Sequence, residues 1–294
     1  MDYYYHSLRS DIFRVFRNKI MIIGFAVYLA ISFYELWDYG LLISYADHYE
    51  PVSGDGVVRV IDYSDEDYAD FVRRCSAYKQ EQNVVLSRSD MTRMFKKSSW
   101  CPDITVATSD RNIIFFLCLL TDIVISGENI SYLVVDGRSR GKVYRSKILN
   151  AFVIASMLRL LAFMLIYLMN YALHGQGHAS MLLDLLAAYF LTLFPTFGVI
   201  CVAAMVVFIV WQRYIYYLLT ILYSYLEMTV IAYLIMRMGV LRPDALDYTL
   251  QGMMASIYFN QDVGYVFLCI FYPFILFAVT SFIGILFFKR RTLS

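Results

Sequence analysis

Charge is scarce in this chain, and so are the residue patterns of metal and nucleophile chemistry. Charged residues occupy 17% of 294 positions and hydrophobic residues 60%, against about 25% and roughly 45–50% in an ordinary soluble domain. So large an apolar excess needs more than a globular core to bury it. The net charge is only +1, and the basic residues gather at particular segments instead of covering a face, so nothing favours nucleic acid as a partner. No HExxH, CxxC or nucleophile-elbow pattern occurs, which removes the sequence basis for a metalloprotease, a thiol redox centre or a serine hydrolase. His174 and His178 are four apart but sit beside Gly175 and Gly177, a poor helical frame for a metal. A phosphate loop is missing as well. Gly137-Arg138-Ser139-Arg140-Gly141-Lys142-Val143 has one residue too few between its glycines and a valine where a hydroxyl would reach Mg²⁺. The chain is therefore expected to be no enzyme, and to bind no cofactor itself. After the basic residues Arg9, Arg14, Arg17 and Lys19, the apolar run is too long for a signal peptide and lacks a small-residue cleavage site, so it is expected to stay as an anchor.

What is present is a series of apolar runs. A bilayer core about 30 Å thick needs around 20 apolar residues in a helix. Runs of that order lie at Ile20 to Leu42, Val106 to Ser126, Ile148 to Leu173, Leu182 to Val210, Tyr214 to Met236 and Val263 to Phe288. The second is weakest, because its strongly apolar part begins only at Ile113. Lysine and arginine mark one side: the N-terminal segment, the loop with Arg138, Arg140, Lys142, Arg145 and Lys147, Arg213, and the tail with Lys289, Arg290 and Arg291. By the positive-inside rule both termini are expected in the cytoplasm. Residues 1–19 place Tyr5, Leu8, Ile12, Val15 and Phe16 at helical spacing, with Asp11, Arg14 and Arg17 turned away. That pattern suits an interfacial amphipathic helix or, short as it is, a solvent-exposed one. The 26 Tyr and 22 Phe suit interfacial belts and helix packing.

Residues 46–110, with twelve acidic and eight basic side chains, form the sizeable polar segment, placed outside by the topology. Short strand-like runs alternate there with helix-like stretches, so a small α/β domain is expected. The expected fold is thus an all-α membrane protein: an N-terminal interfacial helix (1–19), a first span (20–45), an extracellular α/β insertion (46–110), and five further spans (111–294). A second outer segment, Gly239 to Asn260, is broken by Arg242-Pro243-Asp244 and then turns apolar at Met253, Met254 and Ile257. It suits either a short hairpin dipping back towards the membrane or an ordinary surface loop.

The cytoplasmic loop 127–147 carries the functional signal. Glu128, Ser131 to Val135, Gly137, Ser139-Arg140, Tyr144 and Ser146-Lys147 follow the order found after the second span of the ABC type-2 permease family, and the chain resembles that family along most of its length. The large first outer loop departs from the family's most compact members. The resemblance implies a coupling helix docking on a separate ABC ATPase subunit, a second permease subunit, identical or different, and ATP with Mg²⁺ held by the ATPase. Ile130, Leu133 and Val134 would form the docking face, with Glu128, Arg138 and Arg140 as its charged anchors. The alternative is that these charges only fix topology. A secondary transporter or channel would favour repeated halves, and no convincing repeat is seen. A membrane-anchored sensor or accessory protein is the third class, and the cargo is not legible.

Ionisable residues inside spans are costly and are functional candidates. Arg159 stands twelve residues past Lys147, about 18 Å along a helix and so near the midplane. Asp122 and Glu227 are its candidate partners, and a role in a substrate path is the other reading.

Of the five cysteines, Cys118, Cys201 and Cys269 lie in apolar runs and Cys75 and Cys101 in the polar insertion. Outside the reducing cytosol these two are free to join, and a small domain of low apolar content gains from such a staple; two free thiols are the alternative. The disulfide is the expected outcome. Mass spectrometry of unreduced, alkylated peptides should find Cys75 and Cys101 linked, and recovery of both as alkylated thiols would refute the pairing.

Overall fold

The computed structural model describes residues 2–46, 111–126, 139–174, 179–210, 212–233, 248–257 and 263–290. Among them there are helices and no strands: α1 Asp2–Arg17, α2 Lys19–Ala46, α3 Arg111–Ile125, α4 Arg140–His174, α5 Ala179–Ile209, α6 Arg213–Tyr233, α7 Leu250–Ser256 and α8 Val263–Arg290. The expected α/β insertion, with Cys75 and Cys101, lies outside the described residues, as does His178.

Asn18 makes the first corner. Its backbone N–H closes α1 on the Arg14 carbonyl at 3.0 Å, and its side-chain oxygen accepts from the Ile20 N–H at 2.9 Å and the Met21 N–H at 3.4 Å. One residue so ends one helix and caps the next, and the axes turn by 71°. The wheel of α1 differs from the sequence expectation. Asp11 and Val15 are each 1% exposed, whereas Tyr5, Phe13 and Phe16 face outwards. The helix thus has one face for the protein and a separate aromatic face for its surroundings, with the Arg17 guanidinium 5.6 Å from the Phe13 ring centre.

Among the described residues, three helices are long and apolar enough to cross a membrane, over Arg140–Met169, Leu185–Ile209 and Val263–Arg290; α1 and α2 pass that test only as a bent pair. The chain has the character of a helical membrane protein. Six spans go beyond what the described helices meet on length and composition. With 15 residues, α3 extends about 22 Å, short of the roughly 30 Å hydrocarbon layer. Large apolar side chains nevertheless stand exposed along α2, α4 and α8, such as Ile23, Met157, Leu168, Phe271, Ile275 and Phe282. Exposed apolar side chains of this number mark a surface that meets a membrane or a partner.

At the centre is α5, which touches α3, α4, α6, α7 and α8. Its closest partner, α8, interlocks with it through rings: Phe197 with Phe274 and Phe277, and Phe208 with Phe288. Each of the pair carries an internal proline, Pro195 and Pro273, and each so leaves one carbonyl without its usual helical donor. Gly198 lets three elements cross, with Leu250 Cδ2 3.0 Å and Pro273 Cβ 3.5 Å from where a Cβ would stand. There α7 begins, its first turn capped by Thr249 Oγ1, which accepts from the Gly252 N–H at 2.8 Å. Leu250, Met253, Met254 and Ile257 are buried, so this part of the 239–260 segment packs into the core and is no surface loop.

The start of α4 is the second difference. Residues 140–147, expected as the end of a loop, form its first two turns, because Val143, Tyr144, Ser146 and Lys147 are all buried. Basic composition suggested a loop, but inward packing decides for helix. Tyr144 donates to the Thr280 carbonyl at 3.0 Å and fills the space beside Gly284, where an added Cβ would overlap its ring. Replacing Gly284 by valine must expel Tyr144 and open the α4–α8 contact, which overpacked cores resist at about 1–3 kcal/mol. Thermal unfolding in detergent should show a clearly lowered midpoint for Gly284→Val, partly recovered by adding Tyr144→Ala; an unchanged midpoint in Gly284→Val would contradict this packing.

Candidate functional site

The basic segments meet at one end of the bundle, and their contacts are specific. Asp11 of α1 is gripped by α4: Lys147 Nζ lies 2.6 Å from Oδ1 and 2.8 Å from Oδ2, and Asn150 Nδ2 lies 2.7 Å from Oδ2. Asn150 also donates to Ser7 Oγ at 3.0 Å. Both members of the ion pair are nearly sealed, with side chains 3% and 1% exposed. Sequence reasoning read Asp11 as an outward polar residue and Lys147 as a flanking charge. The available signal was the pair Lys147 and Asn150, three apart on a helix and entering an apolar run.

Two turns earlier, Arg140 reaches the far end of the chain. Its Nη1 donates to the carbonyls of Phe288 at 2.6 Å and Lys289 at 2.9 Å, while the guanidinium lies 5.5 Å from the Phe288 ring centre. Those carbonyls close α8 and have no partner within their own helix, so a cation there satisfies both orphan acceptors and the negative end of the dipole. Of the docking residues expected from sequence, Arg140 is the one described. Glu128, Ile130, Leu133, Val134 and Arg138 lie outside the described residues.

A third contact involves the basic residue at the start of α6. Arg213, at the start of α6, donates to the Ser126 carbonyl at 3.3 Å. Ser126 Oγ in turn donates to Asp122 Oδ1, and Tyr217 donates to Asp122 Oδ2 at 2.6 Å. Asp122 is thus engaged by hydroxyls at the end of α3.

Arg159 stands elsewhere, about midway along α4, and is fully buried. Its Nη1 donates to the Thr192 carbonyl at 3.2 Å and to Thr196 Oγ1 on α5, and its guanidinium lies 5.5 Å from the Phe163 ring centre. Nε and Nη2 meet no acceptor in hydrogen-bond geometry, the Tyr28 side chain lies within reach of the guanidinium, and no carboxylate among the described residues forms an ion pair with it. The expected pairing with Asp122 is not formed. Glu227 lies in α6, with its side chain outside what the structure describes. Among the described residues, no group of three or more His, Cys, Asp or Glu is arranged to hold a metal ion.

No family model matches the chain, and comparison with curated proteins and with solved structures finds no match.

The Asp11–Lys147 contact carries a direct test. Removing one partner of a buried pair strands the other charge and costs about 3–5 kcal/mol, whereas replacing both by apolar groups is often neutral. Asp11→Leu and Lys147→Met should each lower the unfolding midpoint of the detergent-solubilised protein, and the double variant should melt above either one. Additive losses in the double variant would show that the two side chains are not coupled.

Proposed function

We propose that this chain is the membrane-spanning permease subunit of an ATP-driven ABC exporter, acting with a second permease subunit, identical or different, and with separate ATPase subunits that hold ATP and Mg²⁺. The observation that carries the reading joins the loop to the bundle. Three of the positions shared with the type-2 permease family, Arg140, Tyr144 and Lys147, make the contacts that tie the start of α4 to α8 and α1. A partner's ATP cycle can move a permease only through a contact whose energy differs between nucleotide states. On this reading Ile130, Leu133 and Val134 supply that contact, with Glu128 and Arg138 beside them, and the loop passes displacement on at Ser139. From there α4 is stiff. Arg140 carries the movement to the end of α8, Tyr144 to the α8 interior, and Lys147 to α1.

The same reading includes the finer topology: six spans, both termini on the cytoplasmic side of a bacterial plasma membrane, α1 lying in the interface, and residues 46–110 outside as a small α/β domain. Clustering of the basic segments at one end of the bundle supports that orientation, since lysine and arginine near span ends favour the cytoplasm. The outward aromatic face of α1, with Tyr5, Phe13 and Phe16, supports its place at the lipid–water boundary.

The experiment is copurification of the ATPase. Losing one buried apolar contact of roughly 1.5–3 kcal/mol should weaken docking by about tenfold or more. Glu128→Lys and Leu133→Asp should therefore leave the protein inserted, as judged by protease accessibility of the termini, while less ATPase copurifies and substrate-stimulated hydrolysis falls. Normal copurification and coupling in both variants would remove the coupling-helix assignment. Failure of any ATPase to copurify with the wild-type chain would remove the permease reading itself.

A further inference from the structure

A groove of about 370 Å³ runs between α2 and α3, within the size range of small-ligand sites. One wall is a helical stripe of α2, Ile20, Ile23, Val27 and Ile31, and Phe116 and Leu119 of α3 face it. Gly24 hollows the floor, since a Cβ there would stand 2.8 Å from Leu119 Cδ2, and Tyr28 closes it by stacking on Phe116 with ring centres 5.2 Å apart. The lining is almost wholly apolar, so water gains nothing there. Ile20, Ile23 and Val27 are exposed, and the groove therefore opens sideways from the bundle. An acyl chain lying in it touches protein on several sides, which a convex helix face does not offer.

The groove has a length and a charged end. Ile20 and Ile31 are eleven residues apart, roughly 16 Å along the axis, which matches one leaflet of a hydrocarbon core about 30 Å thick. Lys19 heads the stripe. It is the first residue of α2, adjoins Ile20, and lies one turn below Ile23 on the same face, where side chains four apart are neighbours. Its side chain is exposed, and among the described residues it makes no ion pair. The positive end of the α2 dipole lies at the same place. Tyr217, on the α6 side of the groove, holds Asp122 Oδ2 at 2.6 Å, so that carboxylate stays behind the wall with 3% exposure.

We propose that the α2–α3 groove is the seat of one anionic phospholipid drawn from the leaflet at the basic end of the bundle, with an acyl chain along Ile20 to Ile31 and the phosphate on Lys19. Charge and length choose this occupant: an ammonium stands at the mouth, and the apolar wall ends one leaflet away. The site rests on the membrane character of the bundle and not on the permease reading, so copurification of an ATPase does not bear on it.

Native mass spectrometry of the full-length protein, released from bilayers of equal phosphatidylglycerol and phosphatidylcholine, reads the site. The wild type should keep one phosphatidylglycerol and little phosphatidylcholine. Lys19→Gln should lower the retained phosphatidylglycerol about fivefold, whereas Lys142→Gln, which removes an exposed cation of α4 at the same end, should not. Val27→Trp fills the groove from an exposed position and should abolish retention. Ile275→Trp, on the exposed face of α8, should keep the lipid and so separates a seat from general lipid contact. Unfolding midpoints in lipid-free detergent should match the wild type; if Val27→Trp alone melts early, Ile23→Trp, exposed in the same wall, decides the point. Equal retention of phosphatidylcholine, equal loss in Lys142→Gln, or lipid kept in a well-folded groove-filling variant would overturn the site. A lipid-free wild-type dimer that Val27→Trp dissociates would give the groove to a second copy and overturn it as well.

Discussion

A carboxylate and an ammonium held 2.6 Å apart with almost no exposure tie α1 to the bundle, and the geometry of that end of the molecule follows from the need to keep them together. Neither charge survives burial alone, and the pair is stable only because Asn150 and Ser7 complete the hydrogen bonding around it. The consequence is directional. Asp11 fixes the roll of α1 about its axis, which turns Tyr5, Phe13 and Phe16 outwards, while the Asn18 cap fixes the angle at which α1 leaves α2. An amphipathic helix held only by its apolar face could roll. This one cannot without stranding a charge.

Around that anchor the bundle is packed by shape more than by polarity. Gly284 receives Tyr144, Gly198 receives Leu250, and the aromatic contacts between α5 and α8 fill the space that two proline-bearing helices leave. Helices in lipid gain little from hydrophobic exclusion, so close approach at small residues and buried hydrogen bonds supply the association. Tyr144 combines both, with its ring against Gly284 and its hydroxyl on the Thr280 carbonyl. The start of α4 is therefore tied to both α8 and α1.

The buried cations of α4 contrast with each other. Lys147, near the end of the bundle, has a carboxylate partner, and its charge serves to hold the fold. Arg159, about twelve residues further in, has a ring and hydroxyl or carbonyl oxygens, and none of them matches its second edge. A side chain that only closed a helix contact would be cheaper as leucine.

Local composition determined much of the outline. Apolar runs bounded by basic residues located the long helices, because burying backbone polar groups in an apolar layer requires helical hydrogen bonding within each segment. The place of Arg159 about midway along α4 was also legible, since it depends only on its spacing from the preceding charges. Which groups meet was not. Asp11 looked like a solvated residue until α4 brought Lys147 and Asn150 to it, and Arg140 looked like part of a loop until the end of α8 offered it two carbonyls. Asp122 looked like a counter-ion for Arg159 until Tyr217 and Ser126 took both its oxygens. Each of these choices pairs side chains from different helices, and no spacing along the chain encodes the rotation and depth at which two helices pack.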